Sequence, residues 1–358
     1  MNIYKSALLL LTASAPLLSN DCCCPPADPC AKCAQIWPTR GPDWIITPAA
    51  GPCVSRGWDA YITAEFIYWT SRLDNLGFAI FEPVQNGTTV TGRGNILHPD
   101  WKFEPGFKVG VGLLFDHDAW DLYVNYTWLS VHDTKEKIAV SDSQTQRIRP
   151  IGDSASFANL TQPILFASGR WELDFNVLDA ELGRNFFISR YLKLRPHFGL
   201  KGTWQDQDYL VIGQDEELIS KDQNSTHYWG VGIRAGLDTA WHFNQCFSLI
   251  GEVAITALWE KFETERKSGA APLEVGVSEP ITVLYVENDI HTLKPVLEFL
   301  LGLRYETWYC CDRYHFGIDG GWELQWWSGQ NQFFNQIVES KCGDLNLNGF
   351  TLKFRLDF

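Results

Sequence analysis

Three sets of residues in this chain of 358 carry reactive or binding chemistry: ten cysteines, an Asp-x-Asp pair upstream of a histidine, and a series of opposite charges at alternate positions. Cys22, Cys23, Cys24, Cys30, Cys33 and Cys53 crowd the N-terminal region, and Cys246, Cys310, Cys311 and Cys342 fall at turn-like or loop positions. In an exported chain such thiols are expected to oxidise. Adjacent cysteines bridge each other only with strain, so Cys22-Cys23-Cys24 and Cys310-Cys311 point to distant or intermolecular partners. Two outcomes stay open: links between copies of the chain or to other envelope proteins, and disulfides internal to the N-terminal segment. Cys30-Ala-Lys-Cys33 lacks a second pair or a neighbouring histidine, so no metal site is expected.

Asp206, Asp208 and His227 are the residue types of an acid–base hydrolase at a barrel rim, although the acidic run Asp206, Asp208, Asp215, Glu216, Glu217 and Asp222 reads more simply as a solvated loop. Gly230-Val-Gly232-Ile-Arg-Ala235 matches a dinucleotide fingerprint by letter, but it lies inside an alternating strand pattern, so no cofactor is expected. The third set would face a wet interior and suits permeation. It comprises Lys102, Glu104, Lys108, Arg195, Lys201, Arg234, Glu252, Lys294, Glu298, Arg304, Glu323, Lys353 and Arg355, with Glu65 and Asp319. Such mixed charge lines a narrow pore or closes into salt bridges.

Strands must position these side chains. In the last ten residues Phe350, Leu352, Phe354, Leu356 and Phe358 alternate with Thr351, Lys353, Arg355 and Asp357. Successive strand side chains point to opposite faces, so one row would meet lipid and the other water. A terminal aromatic on such a strand resembles the sorting signal read by the bacterial outer-membrane assembly machinery. The same alternation recurs in 58–68, 103–115 and 120–128, and in pairs of segments around 171–200, 229–255 and 293–326, which with the terminal strand gives ten strands. Tight links near 117, 189, 244 and 310 alternate with long polar ones at 71–100, 132–166, 206–226, 260–290 and 328–348. That is the pattern of short periplasmic turns and long extracellular loops. Twelve strands or more would follow if 133–165 hides a hairpin or 34–50 adds one.

The start of the chain supplies an export address. Lys5, the apolar run from Ala7 to Leu11 and the small-residue site Ala13-Ser14-Ala15 predict a signal peptide over 1–20, then a cysteine-rich periplasmic segment over 21–56 and a barrel over 57–358. No stretch reaches the ~18–20 apolar residues of a membrane helix. Mean hydropathy is slightly negative despite 16 tryptophans, as expected when lipid-facing and lumen-facing positions alternate. Tryptophan pairs such as Trp120 and Trp128 or Trp229 and Trp241, and the group Trp322, Trp326 and Trp327, would sit in interfacial girdles. A net charge of −14 argues against nucleic acid as a partner.

The segment from Trp171 through Phe186 (WELDFNVLDAELGRNF), followed by Leu194-Arg195-Pro196-His197-Phe198-Gly199-Leu200-Lys201, resembles the pore-forming major outer membrane protein family of Legionella, which also has members in Chlamydia-related bacteria. The resemblance implies an outer-membrane barrel and a porin-like function, and brings no catalytic residues. The sequence therefore predicts an all-β, antiparallel, up-and-down transmembrane barrel in contact with outer-membrane lipid. Its expected role is passive passage of small hydrophilic solutes or ions, with envelope stabilisation through disulfides. A structural or adhesive surface barrel and a rim protease are the alternatives.

Overall fold

The computed structural model of the protein describes residues 50–52, 54, 58–85, 88–89, 94–115, 120–138, 146–150, 164–189, 191–215, 218–244, 246–272, 281–310, 312–333 and 343–358. The expected signal peptide and Cys22, Cys23, Cys24, Cys30, Cys33, Cys53, Cys311 and Cys342 lie outside the described residues. In chain order the strands are β1 (Ala60–Leu73), β2 (Ala79–Gln85), β3 (Thr88–Thr89), β4 (Asn95–Leu97), β5 (Phe103–Leu114), β6 (Trp120–Ile138), β7 (Gln146–Pro150) and β8 (Phe166–Arg184). They continue with β9 (Phe186–Phe187), β10 (Leu192–Gln214), β11 (Leu218–His242), β12 (Phe247–Pro272), β13 (Ile281–Tyr309), β14 (Tyr314–Asn331) and β15 (Gly343–Asp357).

Ten of these close a ring in the order β1-β5-β6-β8-β10-β11-β12-β13-β14-β15, all antiparallel, with the terminal strand β15 sealing against β1 from Tyr61↔Asp357 to Leu73↔Leu345. Closure leaves no edge strand. The ring of ten matches the count read from the sequence. The allowance for more wall strands in 133–165 is not realised among the described residues: β7 pairs instead with β2, in a small sheet that also holds β3 and β4.

Two expected loops are corrected. Most of 206–226 and 260–290 is strand, because β10 runs to Gln214 before β11 starts at Leu218, and β12 and β13 reach Pro272 and Ile281. With 29 residues, β13 extends roughly 95 Å, far more than an apolar band of about 25 Å requires. Polar composition misled the reading because above the bilayer an outward face needs to be polar whether it is loop or strand.

Consequently the barrel has two storeys, and its apolar phase reverses between them. On β8, Leu178 faces out while Asp179 and Glu181 face in, whereas higher up Arg170, Glu172 and Asp174 face out and Trp171, Leu173, Phe175 and Val177 are buried inside. On β15, Phe350, Phe354 and Leu356 face out, but Leu345 and Leu347 point inward. The lower storey has lipid outside and polar groups inside; the upper has water outside and an apolar core. Trp327, expected in a girdle, belongs to that core and is fully buried, and so is Trp171.

Aromatic residues mark both borders of the lipid band. Tyr126 stacks on Trp204, Phe107 on Trp128, and Trp229 meets Trp259 edge-on at the upper border. Trp120 with Phe198, Trp241 with Phe243 and Phe247 with Tyr305 form the lower one. Ile233 sits on the lipid face between Trp229 and Trp241 and is 72% exposed. Ile233→Arg is expected to cost about 2–4 kcal/mol, read as a lowered denaturant midpoint for unfolding from lipid bilayers.

Candidate functional site

Inside the lower storey the inward rows of all ten wall strands converge on a cavity of about 130 Å³, room for about four waters at the volume each takes in the liquid. Of the fifteen lumen positions named from the sequence, twelve line it: Glu65, Lys108, Arg195, Lys201, Arg234, Glu252, Glu298, Arg304, Asp319, Glu323, Lys353 and Arg355. Alternation brings them there, since each stands on its strand in the row opposite the lipid-facing residues. Lys102, Glu104 and Lys294 do not reach the chamber. Glu104 stands opposite Trp69 at the upper storey, Lys102 is at the mouth, and the Lys294 ammonium bonds the Gly329 carbonyl and lies 4.8 Å from the centre of the Phe262 ring. Face parity was right for Glu104 and Lys294, but height was not, because parity carries no information on depth.

Charge in the chamber is balanced and almost wholly paired. Lys108 binds Glu323 at 2.7 Å, Lys353 binds Glu65 at 3.2 Å, and Arg304 binds Asp319 at 2.6 Å. Lys201 bridges Asp179 and Glu298 at 2.8 and 2.7 Å, and Arg234 joins Glu181 at 2.9 Å to Glu298. Arg195 is the most connected, holding Asp121 at 2.6 Å, Asp238 at 2.8 Å and Glu181 at 3.2 Å. Arg355 binds Asp357, which also accepts from His315.

The lining contains eight Asp or Glu and eight Lys or Arg, so the wall imposes no strong net sign. Among the described residues, Glu252 and Lys193 are the two of these sixteen that make no ion pair. Asp121, Asp179, Glu181, Asp238 and Lys193 were not singled out from the sequence as pore-lining, although each sits in the inward row. Their partners could not be read from sequence because strand register fixes them: Asp238 stands directly opposite both Arg195 and Glu252.

The chamber has a roof. Phe175 on β8 and Trp327 on β14, which stand on opposite sides of the ring, meet edge-to-face with centroids 5.2 Å apart. Above them Trp69, Leu73, Val131, Trp171, Val211, Val296, Leu345 and Leu347 from the walls pack with Leu76, Phe78, Ala79, Leu97, Ile148, Ile164 and Phe333 from the connecting segments. The segment between β1 and β5 acts as a plug: the Tyr209 hydroxyl donates to the Leu76 carbonyl at 2.8 Å, Asn331 donates to the Asp74 carbonyl at 2.7 Å, and Trp101 meets Trp171 edge-on. Gly169 admits the Phe78 ring so closely that a Cβ there would lie 2.4 Å from it.

The candidate protease residues do come together, but on the outer wall. Asp206 and His227 face each other across β10 and β11 and bond at 2.7 Å, while Ser225 donates to Asp208 at 2.5 Å. The Asp206 hydrogen bond raises the pKa of His227. Both side chains are solvent-exposed on a convex strand face, and neither lines the cavity. Gly230 to Ala235 lies within β11, with antiparallel neighbours and no following helix, so it forms no dinucleotide cradle. Cys246 is exposed and free at the link between β11 and β12, so it makes no disulfide within the chain. Cys310 is disulfide-bonded, and no disulfide joins two described cysteines.

The chain matches the family model described as the Legionella pneumophila major outer membrane protein precursor over residues 50–358. No curated protein matches it. Among solved structures, the outer membrane protease OmpT from Escherichia coli is 12% identical, with 83% of this chain and 96% of that chain covered and a TM-score of 0.36. The TodX deltaS2S3 mutant monoaromatic hydrocarbon channel is 8% identical, covering 84% and 91%, with a TM-score of 0.28. A Pseudomonas aeruginosa FadL homologue is 8% identical, covering 84% and 89%, with a TM-score of 0.24.

Proposed function

The chain belongs to the Legionella pneumophila major outer membrane protein family and is an outer-membrane β-barrel; from this premise we propose that it is a narrow, gated channel for small ions and hydrophilic solutes. The contrast between its storeys carries the reading. One storey up, the same strands fill the barrel with apolar side chains, so packing alone does not demand a polar interior. At membrane depth the chain instead gathers sixteen ionisable groups around a chamber large enough to admit water. A filled apolar interior is commonly as stable as buried ion pairs or more so, which leaves passage of water and ions as the use of the lining. In this reading the Phe175–Trp327 roof and the plug shut the channel's closed state.

Single-channel recording of the refolded chain in planar bilayers tests this. Small discrete steps are expected, and Glu298→Gln, which strips Lys201 and Arg234 of a shared carboxylate, is expected to change their size. A second reading, a structural barrel without a conducting pore, is favoured by the apolar stopper itself; silence from demonstrably folded protein would select it. A covalent role for Cys246 beneath the membrane belongs with either reading, as its free thiol lies on the side of the short links.

A further inference from the structure

We infer that Asp133 is a proton-sensitive latch on the plug, holding the segment between β1 and β5 in the barrel mouth more firmly in acid than at neutral pH. Asp133 is on β6 above the upper aromatic border and points inward with no exposed surface. One carboxylate oxygen accepts the Lys102 backbone N–H at 3.2 Å, where the plug segment rejoins the wall, and the other is buried without a partner. A buried carboxylate with one long hydrogen bond and no cation in contact is a poor anion but a tolerable acid.

The surrounding charges agree. Glu104 on β5 and Asp100 on the plug oppose its charge and Lys102 favours it, while Lys135 on its own strand is engaged by Asp100 at 2.6 Å. On β8 it stands opposite Trp171, between Arg170 and Glu172 on the outer face. Burial, with Glu104 adding, raises its pKa to about 6. Because the docked form holds the proton more tightly than a free carboxyl would, docking strengthens as pH falls below about 6 towards the ordinary carboxyl range, and from this group it levels off at its weaker value above about 6. His98 on the same segment works in the other direction: burial, Arg72 and Lys135 lower its pKa, so its protonation favours release. The two groups are separable by sign.

Release of the plug would also free the roof, so in the channel reading, on which this consequence rests, open probability should rise with pH. The docking itself is read without any conductance, by hydrogen–deuterium exchange of residues 94–102 in the full chain in lipid nanodiscs, corrected for intrinsic rates. Between pH 5 and 7.5 exchange is expected to rise roughly fivefold to tenfold. In Asp133→Asn that rise should vanish, leaving at most the opposite response of His98, and in Glu104→Gln its midpoint should move to lower pH. An unchanged rise in Asp133→Asn, or a flat profile in the native chain, overturns the latch. A silent bilayer recording alongside a normal exchange profile would instead count against the channel alone.

Discussion

Replacing Arg195 by alanine is expected to destabilise the folded barrel by about 3–5 kcal/mol, among the largest effects of any single substitution in the chamber. Its guanidinium is the common partner of Asp121, Asp238 and Glu181. Removing it leaves carboxylates from three strands facing one another in a small wet space, with Glu252 already unpaired beside Asp238 in register. Arg195→Lys should recover only part of the loss, since a point charge cannot serve three carboxylates with the geometry of a planar fork. The heat-modifiable mobility shift of the folded barrel, followed against temperature, reads this directly. If Arg195→Ala melts within a degree or two of the native protein, the chamber is more hydrated and better screened than its hydrogen bonds imply. A cycle with Asp121→Asn should show strong coupling, because the two groups share three nitrogen–oxygen contacts and join β6 to β10 across β8.

Much of this arrangement was legible because a strand has only two faces. Once Phe350 and Phe354 were assigned to lipid, Lys353 and Arg355 had to face inward, and both line the chamber. The same rule failed along the axis. It placed Lys294 and Glu104 with the chamber charges, although they stand in the apolar storey. A signal for that border exists in the sequence, unused: wherever the apolar row changes parity, two apolar residues become adjacent, as in Val177-Leu178 and Phe66-Ile67-Tyr68-Trp69. Such a junction marks where lipid outside gives way to core inside. The acidic run from Asp206 hid the upper parts of two strands for the same reason, since above the lipid a wall strand shows polar residues to water. Ion-pair partners stayed illegible, because register and shear decide which of several inward carboxylates meets Arg195 or Arg234.

In the channel reading, Trp327→Ala should enlarge the unitary conductance several-fold, and this is the sharpest test of whether a permeation path runs along the barrel axis. Trp327 is the side chain through which opposite walls touch, its ring meeting Phe175 and lying 5.7 Å from the Lys201 ammonium at the chamber ceiling. Truncation also removes a fully buried indole and its bond to Gln325 at 3.1 Å, at a cost of about 3–5 kcal/mol, so folding must be verified before recording. Substituting a short Gly-Ser linker for residues 77–99 changes a different quantity. Without the plug the roof can swing aside more often, which raises the open fraction, but each opening is still bounded by Phe175 and Trp327 and keeps its size. The two variants therefore separate a gate from a constriction, because an apolar neck governs step size while it is wetted and the plug governs how often that happens. If folded Trp327→Ala barrels conduct no better than the native chain, ions do not travel along this axis, and the salt-bridged chamber is a structural filling.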